Sequence, residues 1–202
     1  MNEERIGAAL RAGDAYALDA LISAYWARLV AFAESMLGDR DAAYDVAQEA
    51  FVRLWEQRRR WRGAGSLRVW LFRTVRNLCV SEVRRRTVRQ NWAVMERGKE
   101  QPRSRTPLQE TQDRELRAAI ERAIAGLSPR RREAFTLFHL QDLTYREVAA
   151  VMGIREQTVA NQVRAAVGEL RKALRDYFPA LDVEPAEPAG SPAPAGRAAS
   201  GR

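Results

Sequence analysis

Gln157, Asn161 and Arg164 follow one another at steps of four and three residues, so on a helix they share a face. Amide and guanidinium groups make paired hydrogen bonds to adenine and guanine edges in the major groove. Thr158 stands beside them. Ala165, on the same side, is small enough to let the helix approach a duplex closely. Arg146, Arg155 and Lys172 are placed to hold phosphates.

A second set lies between residues 59 and 86. Arg59, Trp61, Arg62 and Ser66 fall in a Gly-containing loop, and Trp70, Arg73, Asn77 and Arg84 then recur at helical spacing. Rings stack on unpaired bases while guanidinium groups hold the backbone, which suits a melted strand. The loop could admit an extruded base. A third set has the opposite sign. Asp41, Asp45, Gln48, Glu49 and Glu56 form a stripe broken by Val52, with Trp55 at its edge. An apolar residue amid charges fits a protein-docking face. For each set the bland alternative is a solvated helix face.

The residue types needed for catalysis are sparse. Cys79 is the single cysteine and falls on an apolar face, which marks it as structural. His139 is the single histidine, which argues against a His- or Cys-based metal site. Glu56 and Glu82 are the only acids in residues 53–89 and give no compact acid pair for metal-assisted chemistry. No enzyme activity, cofactor, metal or small-molecule substrate is expected.

Charge is partitioned along the chain. The 202 residues carry net +8, yet residues 1–52 sum to −5 and residues 53–89 to +10. This predicts a polyanion as partner for the basic block and a basic or polar protein surface for the acidic one. Hydrophobic residues make up 46%, enough for a packed core. No apolar run approaches the ~20 residues of a membrane span. The start, MNEERIGAALRAGD, has no signal-peptide pattern, so a cytoplasmic protein is expected.

The elements that must position these residues are helices. Ala, Leu, Arg and Glu dominate and alternating strand patterns are absent, so the fold is expected to be all-α. Two small helical domains, 1–89 and 112–179, are expected, with a polar flexible linker at 90–111 and a disordered Pro/Ala-rich tail at 180–202. In the first domain the pattern predicts helices at 17–37, from Asp39 or Asp41 to about 58, and at 67–86, with Gly38 closing the first. Leu71, Phe72, Val75, Leu78, Cys79 and Val83 should face the core. In the second domain, Ser128-Pro129 opens a helix to Leu140, Thr144 to Glu147 forms a capping box, and Gly153 separates a short helix from a longer one at 155–174. Those last parts make a helix-turn-helix.

At this point the chain resembles a known family, the extracytoplasmic-function (ECF) group of bacterial RNA polymerase sigma factors. The resemblance is carried by MLGDRDAAYDVAQEAFVRLWEQ, GSLRVWLFRTVRNLCVSEVRRR and LSPRRREAFTLFHLQDLTYREVAAVMGIREQTVANQVRAAVGELRKAL, in the family's order across most of residues 15–178. It implies that Asp45, Gln48, Glu49, Val52, Arg53 and Glu56 dock on core RNA polymerase, whose beta-prime clamp and beta flap are the implied partner surfaces. Arg59, Trp61, Arg62, Ser66, Trp70, Arg73, Asn77 and Arg84 would recognise and melt the minus-ten promoter element. Arg146, Arg155, Gln157, Thr158, Asn161, Arg164, Ala165 and Lys172 would read the minus-thirty-five element. Many relatives are held inactive by an anti-sigma factor, so such a partner is implied. An autonomous helix-turn-helix regulator is the alternative; it would bind duplex DNA without polymerase.

Overall fold

The computed structural model describes residues 3–60, 66–94, 112–175 and 177, and among these every regular element is helical. They are α1 (Glu3–Ala12), α2 (Ala15–Leu37), α3 (Arg40–Gln57), a 3-10 turn (Arg58–Arg60), α4 (Leu67–Val94), α5 (Gln112–Gly126), α6 (Pro129–Phe135), a π-helical turn (Thr136–Leu140), α7 (Tyr145–Met152) and α8 (Glu156–Ala173). The expected linker beyond Val94, the expected tail, and Trp61 and Arg62 lie outside the described residues.

Local chemistry sets the boundaries. The Asp14 carboxylate accepts the Tyr16 amide and opens α2. Gly38 closes α2 in the left-handed region (φ 64°), and the Asp39 carboxylate caps α3 through the Ala42 amide at 3.1 Å. The capping box is complete: the Thr144 hydroxyl accepts the Glu147 amide, and the Glu147 carboxylate accepts the Thr144 amide. Gly153 (φ 69°) makes the turn between α7 and α8. Ser128 takes the N-cap position with Pro129 behind it, but its hydroxyl makes no capping bond.

Three expectations are corrected. An additional helix, α1, precedes α2 and buries Leu10. α4 does not end near Arg86 but runs to Val94. Val83 does not face the core; it is 44% exposed, and no α4 residue from Val80 to Arg89 is buried. Past Cys79 the helix has run beyond the core, and ion pairs replace apolar packing. Glu82 receives Arg85, Arg86 and Arg89, and Arg86 also reaches Asp39 at 2.9 Å, tying the distal half of α4 to the start of α3. The Ala42 amide hydrogen bond, helped by Arg86 against the cost of desolvation, holds the Asp39 carboxyl below its usual pKa.

α2 is long and apolar enough, by length and composition alone, to cross a membrane, contrary to the expectation that no run approached that size. Its Leu21, Leu29, Phe32 and Ala33 are buried against α3 and α4, so it serves here as the central core helix of the first half. Phe32 meets Phe72 of α4 edge-on at 5.6 Å between ring centroids.

The two halves share one core. A single buried cluster runs from Leu10 through α2, α3 and α4 to Leu137, Leu143, Val148 and Val163. α7 packs on α4, and α6 on α2. A smaller cluster, Leu127, Ala166 and Leu170, sits between α5 and α8.

Candidate nucleic-acid and docking interfaces

α3 separates its two faces cleanly. Ala43, Val46, Ala47, Ala50, Phe51 and Leu54 are buried, and Asp45, Gln48, Val52 and Glu56 point outward. Glu49 and Arg53 are half-buried and pair at 2.7 Å. The stripe expected from the spacing is therefore one continuous surface. Its neighbour was not legible in advance. Leu18, Ile22 and Trp26 of α2 meet Phe51, Val52 and Trp55 of α3 around an apolar cleft of about 270 Å³. The signal lay in α2: Leu18 and Ile22 lead the helical pattern but are only partly buried.

On α4, Arg73, Asn77 and Arg84 are exposed on the side away from Leu71, Phe72, Val75, Leu78 and Cys79. Trp70 is half-buried against the core, so only part of its ring is open. Ser66 lies directly before α4, and its carbonyl accepts the Trp70 amide at 3.1 Å. Arg59 is exposed in the short turn that follows α3. Beside it, the Arg58 guanidinium lies over the Trp55 ring at 4.1 Å. Burial, with the Glu133 charge nearby, pushes the Cys79 thiol up to about 12, so it stays protonated and unreactive near neutrality.

In the helix-turn-helix, α7 and α8 pack on each other and on the other second-half helices through Val148, Val151, Val159, Val163 and Ala166. That leaves Gln157, Thr158, Asn161, Arg164 and Lys172 exposed along one side of α8, with Ala165 half-buried between them. Gln157 donates to the Asn161 side-chain oxygen at 3.4 Å, which confirms that the two amides are neighbours. Arg155 holds the N-cap position without a side-chain capping bond, and Arg146 is exposed on α7. Within single helices the expected residues share a side, on α3, on α4 and on α8; Arg59 instead sits on a turn that packs against α1 and α3, and Trp61 and Arg62 lie outside the described residues.

Two segments, a helical unit in the first half and a helix-turn-helix in the second, match distinct models of one family. Residues 21–89 match sigma-70 region 2, and residues 117–170 match sigma-70, region 4. The chain belongs to the sigma-70 family, in its ECF group. Among similar ECF sigma factors, SigE of Mycolicibacterium smegmatis is 28% identical over 172 residues, covering 85% of this chain and 65% of its own. The probable SigI of Mycobacterium tuberculosis is 30% identical over 181 residues, covering 82% and 58%. The chain thus spans about two thirds or less of those two relatives. RNA polymerase sigma-H factor of Pseudomonas aeruginosa is 27% identical, covering 81% of this chain and 89% of its own. The fold is shared with the sigma factor RpoE of Bartonella quintana, solved with the anti-sigma factor NepR, at TM-score 0.64 and 24% identity over 78% of this chain and 96% of that one. CnrH, solved with the cytosolic domain of CnrY, gives 0.64 and 21% over 87% and 97%.

Proposed function

We propose that this sigma-70 family chain binds core RNA polymerase and directs initiation at a narrow promoter set. The observation that supports this best is the presence of three separate surfaces on one chain: an acidic stripe with Val52 on α3, a basic face on α4, and an amide-rich face on α8. A free-standing regulator needs the third alone.

Residues 1–89 form the docking and melting unit, and residues 112–179 the upstream reader. Asp45, Gln48, Glu49, Val52, Arg53 and Glu56 meet the beta-prime clamp of core polymerase. Carboxylates at the rim steer a basic partner, while Val52 and the adjoining apolar cleft supply desolvated contact. Arg73, Asn77 and Arg84, with Trp70 and the loop before it, hold the melted minus-ten strand by phosphate contacts and stacking. Gln157, Asn161 and Arg164 read the minus-thirty-five element, and Arg146, Arg155 and Lys172 set its register. The chain supplies sequence choice and strand capture; bond formation belongs to the polymerase. It works in the cytoplasm, and an anti-sigma factor is its natural inhibitor.

The test is co-elution with core polymerase in gel filtration. The natural chain is expected to co-elute and to shift promoter DNA only when core is present. Tight duplex binding without core, and no co-elution, would establish the autonomous regulator instead.

A further inference from the structure

Three arginines follow one another at the end of α3, and one of them is turned inward. Arg59 is exposed, but Arg58 folds back on the helix it ends. Its guanidinium lies over the Trp55 ring at 4.1 Å, and its Nη1 donates to the Trp55 carbonyl at 2.6 Å. The same carbonyl accepts the Arg58 amide. The Arg58 Nε is buried without a hydrogen-bond partner. A surface arginine does not give up water at that nitrogen unprompted, so the ring and the carbonyl hold the side chain in this place.

The seat decides where the chain leaves α3. No glycine closes this helix; Arg58 takes the C-cap position in the right-handed region (φ −51°, ψ −37°), and the chain tightens into the 3-10 turn Arg58–Arg60. The Arg58 side chain does part of a cap's work by taking up a terminal carbonyl. From another side α1 packs on the same turn and on α2. Gly7 and Leu10 of α1 are buried, with Ile6 and Ala9 partly buried beside them. Gly13 (φ 85°) ends α1, its amide donating to the Leu10 carbonyl at 2.9 Å, so α1 does not run on into α2 and is free to lie against the turn.

Trp55 serves two neighbours. It lines the apolar cleft with Leu18, Ile22, Trp26 and Val52, and it carries Arg58. The cleft adjoins the surface proposed above for core polymerase, and Arg59 belongs to the set proposed for the minus-ten strand, a reading on which this inference rests. A side chain that meets a strand from a fixed backbone loses less freedom on binding than one on a loose turn. Arg59 gains that fixed start from its neighbour on one side and from α1 on the other.

We propose that Arg58 is a positioning residue for minus-ten recognition: stacked on Trp55, with α1 packed behind the turn, it fixes the exit of the chain from α3 and so the place from which Arg59 meets the promoter. Arg58 itself touches neither base nor phosphate. Lysine could supply its charge but not the flat stack and the fork. α1, which precedes the region 2 segment, thereby belongs to the promoter-reading machinery.

Two measurements on the full chain test this in Arg58→Ala, and in Ile6→Ala, which loosens α1 instead. Amide hydrogen exchange at Arg59 and Arg60 should quicken at least about tenfold in both variants and stay unchanged in α2. Transcription with core polymerase, on templates randomised in one element at a time, reads the consequence. Discrimination among minus-ten sequences should fall about tenfold, while the ranking of minus-thirty-five sequences and co-elution with core are kept. If Arg58→Ala loses its helical signal, Arg58→Lys takes its place and should give the same two changes. A merely structural role would lower all transcripts in proportion and leave both rankings intact. That result, or unchanged exchange at the turn, overturns the proposal. Faster exchange in the variants, with no chain-dependent transcripts from the unaltered chain, keeps the Arg58 seat and overturns the promoter reading.

Discussion

Arg68 donates to both oxygens of Glu147, at 2.6 and 2.5 Å, and the same carboxylate accepts the Thr144 amide at 2.8 Å. One side chain therefore caps the first helix of the helix-turn-helix and anchors that domain to α4. Burial would raise the Glu147 pKa, but the Arg68 and Thr144 hydrogen bonds outweigh it, and the net shift is downward.

That downward shift sets a pH dependence. A carboxylate whose pKa is depressed by folding contributes stability that is present above its unfolded value and lost as pH falls through its folded value. Asp39 and Glu82, also lowered, act in the same direction. Thermal stability should hold through neutrality and fall below the ordinary carboxylate range, about pH 4. Melting followed by circular dichroism from pH 7 to 3 checks this; Glu147→Gln should flatten the decline. An equal decline in that variant would contradict the assignment to Glu147.

Thr144→Ala removes the hydroxyl that accepts the Glu147 amide at 3.3 Å. The loss should be about 1 kcal/mol, as for other N-caps. Denaturant melts would register it as a lower midpoint with an unchanged slope.

Leu71 and Val83 test how α4 is seated. Leu71 is fully buried and Val83 is 44% exposed. Leu71→Ala should cost ~2–5 kcal/mol, and Val83→Ala should stay within about 0.5 kcal/mol. Equal losses from the two changes would mean that Val83 is packed after all.

Reversing Asp45 and Glu49 to Lys should weaken core polymerase binding at least about tenfold, or ~1.4 kcal/mol, without loss of helicity. Among the described residues the pair broken is Glu49–Arg53, half-exposed and worth little to stability. Unchanged affinity in a competition assay would remove α3 from the docking surface.

Much of this arrangement is written locally. The buried side of α3, from Ala43 to Leu54, follows the 3.6-residue period because α2 and α4 cover it from one direction. The Thr144 box and the Gly153 turn are readable because their partners lie within four residues or so. What was hidden is non-local. Arg76 and Glu133 are 57 residues apart, Arg68 and Glu147 79, and Arg28 and Gln141 113, and nothing near any of them in sequence marks the partner. Arg68 and Arg76 read as part of a general basic block, and Glu147 as a cap alone. The end of α4 was misplaced for a related reason. No Gly or Pro stops the chain at Arg86, and Glu82 with its arginines extends the helix where the apolar pattern gives out.

Transcription in vitro tests the central claim most directly, using core polymerase and templates with randomised upstream sequence, with and without the chain. The account predicts start sites that appear only with the chain and share two enriched elements. Gln157→Ala or Asn161→Ala should relax the upstream element by ~1–3 kcal/mol per lost bidentate contact and leave the other intact. Transcripts identical with and without the chain would contradict the account.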